Sequence, residues 1–123
     1  MKRDMILVIK ILEYFENRDE VSVIKELRIP GYDDRVVAYH VRRMYEGGLL
    51  DAETLNSTTT ETRLIIVWPF GLTWQGHEFL DAIRSKGVTE KLKKRLGETL
   101  SQVPFILIKE LAIAFGRQQI GLL

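Results

Sequence analysis

The chain has 123 residues, no cysteine, and 18 Lys and Arg against 17 Asp and Glu, a formal charge of +1. With 46% hydrophobic and 28% charged residues, it has the composition of one folded domain around a single core rather than a disordered tail. The lack of cysteine excludes a disulfide framework, a Cys-ligated zinc site and a thiol nucleophile; the balanced charge excludes a strongly basic architectural protein but leaves room for a local basic face.

Residues 2–16 are predicted to form a helix, with Asp4 as N-cap and Met5, Val8, Ile9, Leu12 and Phe15 at helical spacing. Residues 20–29 read as a short strand, because Val21, Val23 and Ile24 are β-branched, although Val21, Ile24 and Leu27 also suit a helical turn. Pro30-Gly31 makes a turn. Residues 33–47 form a second helix, capped by Asp33 or Asp34 and stopped by Gly47-Gly48. Its Val37, Val41 and Met44 face one way; Arg35, Tyr39, Arg42 and Glu46 face the other, with Arg43 beside them. Two strands follow, 49–56 and 62–68, around a polar tip from Ser57 to Glu61. The unbroken apolar run from Leu64 to Trp68 predicts a largely buried second strand, ended by Pro69-Phe70-Gly71. Thr73 caps a third helix, about 74–85, with Gly76, Phe79, Leu80 and Ile83 as its apolar stripe and Gly87 as its stop. Thr89 caps a fourth, about 90–100, carrying Leu92, Leu96 and Leu100. Pro104 opens a fifth that runs to about Arg117.

Helix, short strand, helix, two-stranded hairpin, helix is the order of a winged helix. The predicted class is therefore α+β, mainly α: a winged-helix unit over residues 1–87, with two additional C-terminal helices over 88–123 packed on it or forming a dimer interface. Two local signals support this order. Met44-Tyr45-Glu46-Gly47-Gly48-Leu49-Leu50 ends a helix at a glycine and opens a strand on an apolar pair. Leu72-Thr73-Trp74-Gln75-Gly76 starts the next helix with a capping hydroxyl and a glycine that permits close approach. One departure is plain: a standard helix-turn-helix has a full helix before its recognition helix, and only residues 20–29 are available here.

The chain also resembles an uncharacterised family of short bacterial and prophage-associated proteins, a domain of unknown function. The resemblance is carried by Met1-Lys2-Arg3-Asp4-Met5, Gly31-Tyr32, Ala38-Tyr39-His40-Val41 and Gly48-Leu49-Leu50. Its most distinctive stretch is Leu72-Thr73-Trp74-Gln75-Gly76-His77-Glu78-Phe79-Leu80-Asp81-Ala82-Ile83-Arg84. It implies a winged-helix-like fold and a mobile-element setting, and no catalytic residues.

Candidate sites follow from residue type and placement. Arg35, Tyr39, Arg42 and Arg43 on helix 33–47, with Arg63 beyond the wing tip, are candidates for contact with double-stranded DNA through phosphates or a guanine edge. Residues 1–48 carry nine basic and nine acidic side chains, so a solvated or protein-binding face is the competing reading. Lys91, Lys93, Lys94 and Arg95 form the densest basic run, either a solvated face or a contact for phosphate or an acidic partner. His77 and Asp81 stand one helical turn apart, too few ligands for a metal site, and His40 is expected to pack beside Val37 and Val41. No Ser/His/Asp constellation and no phosphate-binding glycine loop is apparent, so neither catalysis nor a cofactor is expected. Helix 104–117 is apolar nearly all round, and Phe105, Ile106, Ile108, Leu111, Ile113 and Phe115 are candidates for a homodimer interface. No signal peptide follows the charged start, and the apolar stretch 103–115 is interrupted by Lys109 and Glu110 and falls short of the roughly 20 residues of a span, so a cytoplasmic protein without a membrane partner is expected.

Overall fold

Asp4 decides where the first helix begins. In the computed structural model, which describes residues 1–61, 63–96 and 103–121, its carboxylate accepts hydrogen bonds from the N–H groups of Ile6 and Leu7 at 2.9 and 3.2 Å. Helix α1 therefore spans Met5–Glu16 rather than starting at residue 2. It buries Leu7, Val8, Ile11, Leu12 and Phe15, the first face of the core.

Residues 20–29 form neither strand nor helix, which corrects the predicted short strand. The Ile24 N–H donates to the Pro69 carbonyl at 2.9 Å. Proline has no N–H to return that bond, so pairing does not propagate into a ladder.

Helix α2 spans Asp34–Glu46, with the Asp33 side chain accepting from the Arg35 N–H at 2.8 Å. Val37, His40, Val41 and Met44 are buried. Its C-terminus closes as a Schellman motif: Gly48 N–H donates to Tyr45 O at 3.0 Å and Leu49 N–H to Met44 O at 2.9 Å. Gly48 sits at φ +79°, the left-handed conformation this closure requires.

Strands β1 (Leu50–Asn56) and β2 (Leu64–Leu72) pair antiparallel. Pro69-Phe70-Gly71 lies inside β2 and does not end the hairpin. Ala52 faces Pro69 and Asp51 faces Gly71, which leaves Phe70 as the extra residue of a bulge. A bulge is one of the few places where a strand tolerates proline. The run Leu64 to Trp68 is not largely buried either. All five residues are partly accessible, Ile65 to 50%. Burial fades along the hairpin from Leu50 (2% exposed) to Leu55 (51%), because the two-stranded ribbon extends away from the helices.

Helix α3 (Trp74–Ile83) starts at Thr73, whose Oγ1 accepts from the Gly76 N–H at 2.9 Å and donates to the Gly48 carbonyl at 2.6 Å. Gly76 lies so close to β1 that a Cβ there would collide with the Leu49 carbonyl oxygen. Helix α4 spans Lys86–Leu96 and starts earlier than predicted. Gly87 is in its first turn rather than stopping α3. Thr89 is not its cap: the hydroxyl donates back to the carbonyls of Ile83 and Ser85. Leu92 is buried as expected, and Leu100 lies outside the described residues.

Helix α5 (Phe105–Gln119) packs across α3 and α4. Ile108 and Ala112 are fully buried, the Phe105 and Phe79 ring centroids are 5.7 Å apart, and Gly116 lies against Ala82. The architecture is thus α+β and mainly helical, with five helices and one two-stranded sheet among the described residues. A paired contact ties α1 to α3: Arg84 donates to both Glu16 carboxylate oxygens at 2.9 and 2.8 Å.

Gly76→Ala should lower stability by about 1–3 kcal/mol, because the Leu49 backbone cannot step aside. Gly87→Ala, whose Cβ would meet the terminal amide of Gln119, a side-chain end that can swing aside at the loss of its bond from Ser85, should cost less. Urea midpoints of the two variants check the contrast.

The hydrogen bond from Arg84 holds the Glu16 carboxyl below its ordinary value. A depressed native pKa contributes stability above the ordinary carboxylate range and loses it as pH falls through the depressed value. Glu16→Gln should therefore be less stable than wild type near neutrality, and the difference should shrink as acid protonates Glu16; urea titrations at neutral and acidic pH measure this.

Candidate nucleic-acid interface

Helix α2 is seated by a histidine. His40 is 1% exposed; its Nε2 accepts from the Asp4 N–H at 2.9 Å and its Nδ1 lies 2.8 Å from the Val36 carbonyl. Those partners assign a neutral ring with the proton on Nδ1. The same residue fixes the start of α1 and the roll of α2, and so decides which α2 side chains face outward.

The outward face carries the predicted residues, each with its own setting. Arg35 is highly exposed and lies 3.6 Å from Asp33. Tyr39 is half-buried, edge-on to His40, with the Arg43 guanidinium 5.3 Å from its ring centroid. Arg43 also pairs with Glu46 at 3.2 Å. Arg42 leans toward the hairpin and donates to the Ile65 carbonyl at 3.4 Å. Arg63 is exposed at the far end of the hairpin, where its carbonyl accepts from the Ser57 N–H and its own N–H donates to Thr60. The structure thus gathers Arg35, Tyr39, Arg42 and Arg43 on one helix face and sets Arg63 apart on the ribbon. Two of the three α2 arginines carry a carboxylate partner on the same helix or its cap; these exposed pairs weaken the local positive field without adding much stability.

The other predicted clusters resolve differently. Lys93, Lys94 and Arg95 occupy the exposed last turn of α4, where cations complement the helix dipole, and the Lys91 Nζ lies 5.7 Å from the centroid of the Phe115 ring. Ile108 belongs to the core of a single copy and offers nothing to a partner, because α5 lies in the groove between α3 and α4. Phe105, Leu111, Ile113 and Phe115 are partly buried against that core, and Ile106 is 60% exposed. Asp81 is drawn to Arg84 at 2.9 Å, and His77 is exposed.

Several contributors escape a reading of the chain alone. Lys109, on α5, caps α2 from outside: its Nζ donates to the Gly47 carbonyl at 2.9 Å and to Gln75 Oε1 at 3.1 Å. Lys25 lies over the Trp68 ring, 4.9 Å from its centroid. With Arg35 and Arg42 it lines a cleft of about 340 Å³ between α2, β2 and the segment around residues 24–27. None of these long-range pairings leaves a periodic signal in the sequence.

Residues 2–101 match the family described as "Hypothetical protein (DUF2513)". The chain belongs to this family. The matched stretch holds α1, α2, the hairpin, α3 and α4, and therefore the whole candidate face; α5 lies beyond it. A relative described as an uncharacterized protein of Haemophilus influenzae is 32% identical over 117 residues, covering 91% of this chain and 92% of the relative. No solved structure matches. Among the described residues no helix is long and apolar enough to cross a membrane.

His40→Phe should cost about 1–3 kcal/mol, since it leaves the Asp4 N–H without its acceptor in a half-buried place. Hydrogen exchange should accelerate first at the start of α1, and mass spectrometry of peptides covering residues 1–16 would read this.

Proposed function

We propose that the chain is a winged-helix-type module that contacts double-stranded DNA through α2, with the hairpin as its wing. One observation carries this reading: α2 presents Arg35, Tyr39, Arg42 and Arg43 on a single accessible face beside a ribbon that extends from the helical body. Such a helix can enter a major groove, where arginines meet phosphates or a guanine edge. The ribbon, ending near Arg63, would follow the adjacent backbone. The missing helix before α2 removes the usual first element of a helix-turn-helix, so Asp4 and His40 seat the recognition helix instead. The mobile-element setting implied by the resemblance suits a small regulator of this kind. A second copy would dock at the exposed apolar positions of α5, Ile106 among them, and set two α2 helices on a two-fold site.

A second reading, a protein-interaction module on the same scaffold, is favoured by the Arg35–Asp33 and Arg43–Glu46 pairs, which partly neutralise the face.

The ionic-strength dependence of binding separates the two. With a fluorescent random-sequence duplex, wild type should bind at low salt with a log–log salt slope of about −2 to −3, as expected for three phosphate contacts. The triple variant Arg35→Ala, Arg42→Ala, Arg43→Ala should keep its circular dichroism spectrum, bind at least about tenfold more weakly and show a flatter slope. Equal binding by wild type and the triple variant overturns the proposal.

A further inference from the structure

The outer edge of β2 faces the cleft between α2 and the segment around residues 24–27. At one end of this edge the Pro69 carbonyl is taken by the Ile24 N–H at 2.9 Å; at the other the Ile65 carbonyl is taken by Arg42 at 3.4 Å. Val67 lies two residues before Pro69, and the register from Ile66 to Pro69 against Leu55 to Ala52 is unbroken. Because N–H and C=O directions alternate along an antiparallel strand, Val67 turns its N–H and C=O the same way as Pro69, away from β1 and toward the cleft. The cleft wall opposite is apolar, built by Leu27, Ala38 and Val41.

The cleft is lined by three cations, Lys25, Arg35 and Arg42, and by two exposed carboxylates, Glu26 and Asp34. Both carboxylates lie near Arg28, at 3.5 and 3.7 Å. Among the described residues, Lys25 and Arg42 have no carboxylate within ion-pairing distance. Lys25 rests on Trp68, and Arg42 reaches only a carbonyl. These two cations stand near opposite ends of the open stretch of edge.

We infer that this edge is a strand-addition site for an extended acidic peptide of a partner protein. The peptide backbone pairs with Val67, an apolar side chain enters between Leu27 and Val41, and flanking carboxylates meet Lys25 and Arg42. Residues four apart on a strand share a face and lie about 13 Å apart, which suits acids at both ends of a five-residue segment. Backbone pairing supplies affinity, and the two cations select charge and register. This site shares Arg42, and Arg35 at its rim, with the proposed duplex contact and is otherwise separate from it.

The probe is the synthetic peptide acetyl-Asp-Val-Thr-Val-Asp-amide, titrated into the full-length ¹⁵N-labelled protein. The expected result is saturable movement of the Val67 amide resonance, with Kd weakened about tenfold by N-methylation of the central threonine, the size of one or two lost hydrogen bonds. The Lys-Val-Thr-Val-Lys counterpart should not bind. The double variant Lys25→Glu, Arg42→Glu, both at the cleft rim, should keep its fold and lose at least about tenfold for the acidic peptide. The inference is overturned if the N-methylated peptide binds as well as the parent, if the double variant binds unchanged, or if the random duplex moves the Val67 amide and the peptide does not. Peptide binding without any duplex binding upholds this site and removes only the DNA reading.

Discussion

Four elements of the fold meet where Gly47–Leu49 touches Thr73–Gly76. The Thr73 hydroxyl is used twice, as acceptor for the first turn of α3 and as donor to the carbonyl of Gly48. The Thr73 N–H donates to Leu49 O, and Gly76 lies against that same carbonyl oxygen. Lys109 arrives from α5 to take the neighbouring Gly47 carbonyl. The end of α2, the start of β1, the start of α3 and the flank of α5 are thereby held to one another through bonds to the carbonyls of Gly47, Gly48 and Leu49. A helix end left open there would have to find water inside a packed junction. The position of the α2 C-terminus and the departure of the hairpin follow from this clasp.

The second constraint lies at the other end of α2. The buried imidazole of His40 accepts one backbone bond and donates another, which its neutral form satisfies completely. It locks α1 to α2 without placing a charge in the core. With the clasp at one end and the histidine at the other, α2 is held along its length, although residues 20–29, directly before it, form no helix. The segment before it needs only one backbone bond to β2, so its role passes from structural support to lining a cleft. That is how a stretch with strand-like composition comes to be neither strand nor helix.

The electrostatics of the accessible face are more selective than its composition. Acidic residues of α2 and its cap lie near Arg35, Arg43 and Arg28, so the residual positive character concentrates at Arg42 and Lys25, on the hairpin side. A ligand that meets the cleft and one that meets the outer face of α2 would therefore experience different fields a few ångströms apart. Ionic strength and charge reversal are informative for both, because exposed pairs contribute little to stability and can be changed without unfolding the chain.

The sequence by itself determined the helices, the hairpin, the caps at Asp4 and Thr73, a cap at Asp33 or Asp34, a glycine closure at Gly47-Gly48 and the close approach at Gly76. Each of these is local: a side chain meets backbone groups a few residues away, or a conformation belongs to glycine alone. The buried stripe of α2, and hence the identity of its outward residues, was equally legible from helical spacing. Only the tertiary structure decided that Pro69 sits inside a bulged strand, that Leu64 to Trp68 stays partly in water, that Gly87 and Thr89 lie within α4, and that Ile108 is core rather than surface. It alone brought Lys109 to Gly47, Asp4 to His40 and Lys25 to Trp68. The physical reason is common to all of these: burial and long-range pairing depend on which element lies opposite, and no period within a single segment encodes its neighbour.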